Sequence, residues 1–232
     1  MSSRQEEKER RRRERQEREQ AEKAAAARRK RLQMVFGGGL ALVAVVAVLV
    51  VVGVVALGGD DGEAEVPAGS AQVPAVQETD LEAAVKAAGC KLVHAENEGA
   101  GHEEKDFKPS DYKQNPPTSG THHPTWYEDG VYEPGNVPEL GKLVHTLEHG
   151  RINIQYKPGT PANRVAQLET VMREMEDGYH QLLYENTTGM SYAVAATTWD
   201  QLLGCPTFND KVFDAIRAFR TEYIDKGPEV VP

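Results

Sequence analysis

A run of 28 residues without a charged side chain, residues 32–59, constrains the fold of this chain more than any other feature. Its central part, residues 34–57, consists almost wholly of Val, Ala, Leu and Gly. A helix needs about 20 apolar residues to cross a bilayer, and helical backbone satisfies its own hydrogen bonds there. A cleaved signal peptide has a shorter apolar core, of about 7–15 residues, behind a short basic start. We therefore predict a single uncleaved transmembrane signal-anchor helix at 32–59.

The charges that flank this segment predict its orientation. Residues 1–31 hold 13 Lys or Arg against 7 Asp or Glu, and residues 28–31 are all basic. Asp60 and Asp61 follow the apolar run. Because basic flanks stay on the cytoplasmic side, we expect a single-pass plasma-membrane protein with a cytoplasmic N-terminus and an extracytoplasmic C-terminal part. The lipid bilayer is then the partner of residues 32–59.

The cytoplasmic tail, residues 1–31, alternates arginine with glutamate and contains no aromatic residue. Binding to single-stranded nucleic acid depends on a basic surface with aromatic side chains on which bases stack. We therefore predict a solvated, partly helical tail and no nucleic-acid partner. The sequence does not identify a protein partner.

The remainder divides into a tether and a folded domain. Residues 60–78 are rich in Gly, Ala, Pro and acidic residues and have no periodicity, so they are predicted to be a flexible acidic linker. Residues 79–232 are predicted to form an extracytoplasmic α+β domain, a small mixed α/β fold, because strands are interleaved with helices. Its helices are expected at about 79–89 (with Thr79 as N-cap), 161–177 and 209–224, and its strands at 91–95, 151–156 (half-buried) and 190–198.

Two cysteines, Cys90 and Cys205, both lie in the predicted outer domain. Disulfides persist in oxidising compartments, so the simplest prediction is that these two residues pair. The alternative is that a thiolate serves as a metal ligand beside the histidines. No C-x-x-C spacing supports redox catalysis.

The histidines carry the strongest chemical signal. Within the outer domain, His145 and His149 are four residues apart, which places both imidazoles on one face if the segment is helical, with Glu148 beside them. A stretch rich in proline and aromatic residues, 109–138, presents His122 and His123. We predict a metal site, for zinc or copper, with His122, His145 and His149 as ligands. Glu148 or His123 would be a fourth ligand or would orient the ligands by hydrogen bonds. Weaker candidates are His94 and His102, and His180 is expected to be structural.

Two alternatives to a metal site stay open. The histidines and Glu148 could bind the Pro/aromatic loop and hold it in place, in a non-metal envelope interaction module. The spacing His145-x-x-Glu148-His149 also matches the H-x-x-E-H motif of inverted zinc proteases, with Glu148 as general base. That motif needs a long helix, whereas Gly141 and Gly150 bracket only eight residues. A small metallohydrolase is therefore the least favoured hypothesis, and whether the domain is an enzyme is undecided.

Two motifs resemble those of a bacterial family known as domain of unknown function 3105. They are PPTSGTH at 116–122, followed by Trp126, and VHTLEHG at 144–150, in which Thr146 takes the family's serine position. The resemblance covers roughly residues 80–225. It implies a membrane-anchored or secreted protein in which the two histidine motifs form one site, with His122 as the functional member of its pair. It implies no particular ligand or activity.

Overall fold

The computed structural model describes residues 69–229. The predicted tail at 1–31 and the predicted transmembrane helix at 32–59 lie outside the described residues. Of the helices within 69–229, none is long and apolar enough to cross a membrane.

The domain is built on a six-stranded mixed sheet, which confirms the predicted mixed α/β fold. The strands follow the order β1-β6-β5-β3-β4-β2 across the sheet. The pairs β3–β4 and β4–β2 are parallel, and the other neighbouring pairs are antiparallel. The strands are β1 (Lys91–His94), β2 (Gly130–Tyr132), β3 (Ile152–Tyr156), β4 (Gln181–Glu185), β5 (Val194–Thr198) and β6 (Gln201–Cys205).

Helices cover both faces of the sheet. They are α1 (Leu81–Ala88), α2 (Leu140–Glu148), α3 (Ala162–Arg173) and α4 (Val212–Tyr223). The main core lies between the sheet and α1, α3 and α4, and it includes Ile152 and Ile154 of β3. The alternate residue Asn153 points to the other face, where its Nδ2 donates to the carbonyl of Leu143 in α2 at 3.0 Å. The strand predicted to be half-buried is therefore buried along its whole length.

Several predicted boundaries change for local reasons. Asp80, not Thr79, caps α1, because its Oδ1 accepts from the backbone N–H of Ala83 at 2.9 Å. Helix α3 ends at Arg173 rather than near 177, since Glu176 and Asp177 take positive φ angles of 43° and 57°, which a right-handed helix excludes.

The described part of the predicted linker, residues 69–78, lies against the domain. Val73 packs on the main core, and the Arg217 guanidinium donates to the carbonyl of Pro74 at 3.2 Å. The backbone N–H groups of Gln77 and Glu78 both donate to the carboxylate of Asp214. The packed domain thus begins before residue 79, because an apolar side chain in the predicted tether finds a place in the core.

Cys90 and Cys205 form a disulfide, as predicted. The bond joins the residue before β1 to the last residue of β6, which are neighbours at one edge of the sheet. Neither sulfur atom is then available as a thiolate ligand for a metal ion.

Candidate metal centre

The end of helix α2 supplies three of the polar side chains at the candidate site. The apolar residues of α2 pack inward and leave His145 and Glu148 in its last turn, with His149 as the C-cap. The spacing of four places His145 and His149 on one face, and their Nε2 atoms lie 3.0 Å apart. Gly150, with a φ of 77°, ends the helix in a conformation that favours glycine.

Two loop segments bring further imidazoles to the same place. The backbones of His102 and His122 pair as an isolated parallel bridge, in which Glu103 N–H donates to the His122 carbonyl at 2.8 Å. The Nε2 atoms of His122 and His102 then lie 3.0 and 3.3 Å from Oε2 of Glu148. Nε2 of His145 is 3.9 Å from the same oxygen. Three imidazole nitrogens therefore surround a single carboxylate oxygen.

The structure places the predicted site residues in different roles. His122, His145, His149 and Glu148 converge, whereas the side chain of His123 turns away, and its Nδ1 accepts from Thr125 N–H at 3.1 Å. The weaker candidate His102 lies inside the cluster. Its position follows from pairing between two loops, so its spacing in the sequence carries no signal.

The other two histidines form hydrogen bonds outside the cluster. His94 pairs with the side chain of Gln201, and Nδ1 of His180 lies 2.6 Å from Oδ1 of Asp225. These contacts agree with the weak ranking of His94 and with a structural part for His180.

Backbone carbonyls hold two of the clustered rings in a defined tautomer. Nδ1 of His122 donates to the carbonyl of Gly120 at 2.8 Å, and Nδ1 of His145 donates to the carbonyl of His123 at 2.7 Å. A carbonyl oxygen only accepts, so the hydrogen of each neutral ring is on Nδ1 and the lone pair is on Nε2. The lone pair of His122 faces Oε2 of Glu148 at 3.0 Å, whereas that of His145 lies 3.0 Å from Nε2 of His149 and 3.9 Å from Oε2 of Glu148. At the centre of the cluster, the lone pair of His122 therefore lies against an oxygen of Glu148, and both atoms are hydrogen-bond acceptors.

Burial lowers the pKa values of two of the clustered rings, those of His145 and His149. Loss of solvation lowers the pKa of His145, and its hydrogen bond to the His123 carbonyl opposes that effect only in part. Burial, with a smaller contribution from the neighbouring His145, lowers the pKa of His149 to about 4. Both imidazoles are therefore neutral at pH 7, the form in which they bind metal ions.

The separations of these atoms fit a metal ion. In the group formed by His102, His122, His145 and Glu148, one ligand atom from each residue lies within 4.8 Å of all the others. A tetrahedral ion with bonds of about 2.0–2.1 Å holds its ligand atoms about 3.3 Å apart. The 3.0 and 3.3 Å imidazole–carboxylate distances match that spacing. Imidazole with carboxylate is a common ligand set for zinc.

Comparison with known proteins identifies the family. Residues 104–231 match the family described as Protein of unknown function (DUF3105). The chain belongs to this family. The match confirms the resemblance inferred from the two motifs, although it begins later than expected, two residues after His102. No curated protein and no solved structure matches the chain.

The centre of this DUF3105 domain reaches solvent on one side. Trp126 is 39% exposed, and its ring lies 4.6 Å from that of His149 and 5.3 Å from that of His145. The His102 side chain is 40% exposed, whereas Glu148 is almost fully buried. The cluster therefore lies just below the surface, behind His102 and Trp126.

Proposed function

We propose that this domain binds a transition-metal ion, zinc or copper, through Nε2 of His102, His122 and His145 and the carboxylate of Glu148. The observation that carries the proposal is that imidazole nitrogens with lone pairs surround an oxygen of Glu148, which is also an acceptor. The carbonyl-bound Nδ1 of His122 leaves its Nε2 lone pair 3.0 Å from a Glu148 oxygen, and the carbonyl-bound Nδ1 of His145 leaves a second Nε2 lone pair 3.9 Å from the same oxygen.

A proton is a poorer occupant of this centre than a metal ion. One proton bridges one nitrogen–oxygen contact, whereas three nitrogens face Oε2 of Glu148, at 3.0, 3.3 and 3.9 Å. Protonating several buried rings side by side would bring like charges together in a poorly solvated site. One divalent ion can bind all three nitrogens and the carboxylate at once, which is why the arrangement favours a metal.

Direct titration tests the proposal. The full-length chain, purified in detergent without a polyhistidine tag and stripped with a chelator, is titrated with Zn²⁺ and with Cu²⁺ by calorimetry. We expect saturable binding of at least one ion per chain, and loss of that binding in His145→Ala. His94→Ala is the matched control, because His94 contacts Gln201 outside the cluster. Absence of saturable binding by either ion, or equal binding by the two variants, would reject the proposal.

A second candidate function is a structural lock without metal, in an envelope interaction module. The packing of Trp126 on both His145 and His149 favours it, since these rings join the loop to helix α2. Under this hypothesis the His145→Ala/His149→Ala variant destabilises the metal-free domain by a few kcal/mol, as expected for a broken buried network. Added zinc would then leave the melting temperature unchanged.

Hydrolysis with Glu148 as general base receives less support. A general base in a metallohydrolase activates a water molecule bound to the ion. Oε2 of Glu148 lies among the imidazole nitrogens, 3.0 Å from Nε2 of His122, which is the position of a ligand. We therefore limit the proposed function to metal binding.

For the location of the domain, we propose a plasma-membrane anchor at 32–59, with a cytoplasmic N-terminus. The charge flanks of the apolar segment support this topology, and the disulfide Cys90–Cys205 agrees with an oxidising compartment for the folded domain. Protease added to intact cells should remove the domain and spare the residue 1–31 tail. Protection of the domain in intact cells, with digestion only after permeabilisation, would reject this orientation.

A further inference from the structure

The polar cluster contains more ligand atoms than one tetrahedral ion needs. A second group, formed by His145, Glu148, His149 and Glu229, also has one ligand atom per residue within 4.8 Å of all the others. The two groups share His145 and Glu148. An imidazole nitrogen has one lone pair and binds one ion, whereas a carboxylate has two oxygen atoms and can serve two ions. If the first ion takes His145, then His149, Glu229 and the second oxygen of Glu148 remain.

The ring of His149 differs from those of His122 and His145, because its buried Nδ1 has no hydrogen-bond partner among residues 69–229. Its ring is buried, and its Nε2 lies 3.0 Å from Nε2 of His145 and 3.4 Å from Oε2 of Glu229. Nε2 of His145 carries a lone pair, because the Nδ1 of that ring donates to a carbonyl. Nε2 of His149 therefore faces two acceptors, one of them a carboxylate, and a divalent ion in place of its hydrogen would bind both this nitrogen and Glu229.

The C-terminal segment is seated so that Glu229 reaches this point. Asp225 N–H donates to the carbonyl of Gly150 at 2.9 Å, and Glu229 N–H donates to the carbonyl of Glu148 at 3.0 Å. Between them, Gly227 comes so close to the end of α2 that an added Cβ would lie 2.2 Å from the Glu148 carbonyl oxygen. Glycine is thus required for this approach, and the segment is held by backbone contacts rather than by the Glu229 side chain.

We infer that the domain binds a second divalent ion, held by His149, Glu229 and the carboxylate of Glu148, next to the ion of the proposed function, on which this inference rests. Two-metal sites hold their ions about 3.5–4 Å apart, a distance that one shared carboxylate spans. The Glu229 side chain is 50% exposed, so the second ion keeps coordination positions open to solvent. Open positions distinguish reactive metal sites from closed structural ones.

Stoichiometry tests the inference with zinc as the probe. The full-length, tag-free chain in detergent is titrated with Zn²⁺ by calorimetry, and bound zinc is measured after gel filtration. We expect two ions per chain in the wild type and one in Glu229→Ala, whose first binding step stays unchanged. Gly227→Ala should also lose the second ion, because the segment can no longer approach α2. The control Glu222→Gln, an exposed glutamate paired with Lys226, should keep both ions.

The possible results separate the inference from the proposed function. One ion in the wild type, with the same affinity in Glu229→Ala, would overturn the inference and leave the proposed function intact. Two ions in both proteins would also overturn it, because the second ion would then bind elsewhere. Absence of bound zinc in the wild type would overturn the inference, and absence of copper binding as well would overturn the proposed function.

Discussion

Replacing Glu148 by glutamine separates a metal centre from a structural lock, because the two accounts differ in the metal-free protein. Glu148 is 3% exposed, and its Oε2 lies within 3.9 Å of three imidazole nitrogens. Glutamine keeps the shape of the side chain, removes its negative charge and supplies an N–H donor.

In the metal-centre account, the ion and not a hydrogen bond links the imidazoles to Glu148, so its removal leaves the His122 lone pair facing the carboxylate. The glutamine amide can then donate to one of the Nε2 lone pairs that the carboxylate only repels. We expect the free energy of unfolding of metal-free Glu148→Gln to change by no more than about 1 kcal/mol, the size of a typical net hydrogen bond. Metal affinity should fall by about 100-fold or more, since even residues that merely orient ligands cost about 10–100-fold.

In the lock account, the 3.0 Å contact between Nε2 of His122 and Oε2 of Glu148 is a buried ion pair that holds the loop in place. Removing one partner of such a pair costs about 3–5 kcal/mol. For a domain of this size, that loss lowers the melting temperature by about 6–20 °C. The two accounts therefore differ by several kcal/mol in the same variant.

The assay is urea unfolding of chelator-treated wild type and Glu148→Gln, followed by zinc titration of each. Glu222→Gln is the control, because it makes the same substitution at an exposed position. A loss of 3 kcal/mol or more from the metal-free variant, together with unchanged zinc affinity, would refute the reasoning.

Three further predictions use other features of the domain. Burial lowers the folded-state pKa values of His145 and His149, that of His149 to about 4, so on acidification from pH 6.5 the unfolded chain binds protons that the folded domain does not. The metal-free domain should therefore lose stability as the pH falls. Equal stabilities from urea unfolding at pH 7, 5.5 and 4.5 would contradict this. Loss of the disulfide between Cys90 and Cys205, which are 115 residues apart, should lower the free energy of unfolding by about 5 kcal/mol in the chain-entropy model. Denaturant unfolding of Cys90→Ser/Cys205→Ser measures this change, and a decrease below about 1 kcal/mol would contradict the model here. Zinc at 100 times its dissociation constant should stabilise the domain by about 2.7 kcal/mol, which raises the melting temperature by about 5–11 °C in scanning calorimetry. An unchanged melting temperature would contradict this prediction.

The parts of the fold that could be predicted are those with a local signal. Helix α1 has a cap and a terminal glycine, Gly89, and α4 has apolar residues at helical spacing, so both were predicted within about three residues. Strands β4 and β6 were missed. Each carries an adjacent leucine pair, Leu182-Leu183 and Leu202-Leu203, that is buried on both faces of the sheet, so neither strand shows the alternation by which a strand is recognised.

The residues of the site also divide into those with a local signal in the sequence and those without one. The four-residue spacing of His145 and His149 is a property of one helix, so the sequence could place these rings together. His102 reaches Glu148 only because its loop pairs with that of His122. Glu229 depends on how the segment after α4 is seated on the end of α2. Contacts of this kind depend on tertiary structure, and a single sequence contains no periodicity or motif that predicts them.

Anomalous X-ray diffraction at the zinc absorption edge tests the central claim most directly. Crystals grown with zinc should give an anomalous peak about 2.0–2.2 Å from Nε2 of His122 and His145 and from a carboxylate oxygen of Glu148. Crystals in which this position has no anomalous peak, and zinc scatters only at surface sites, would contradict the account.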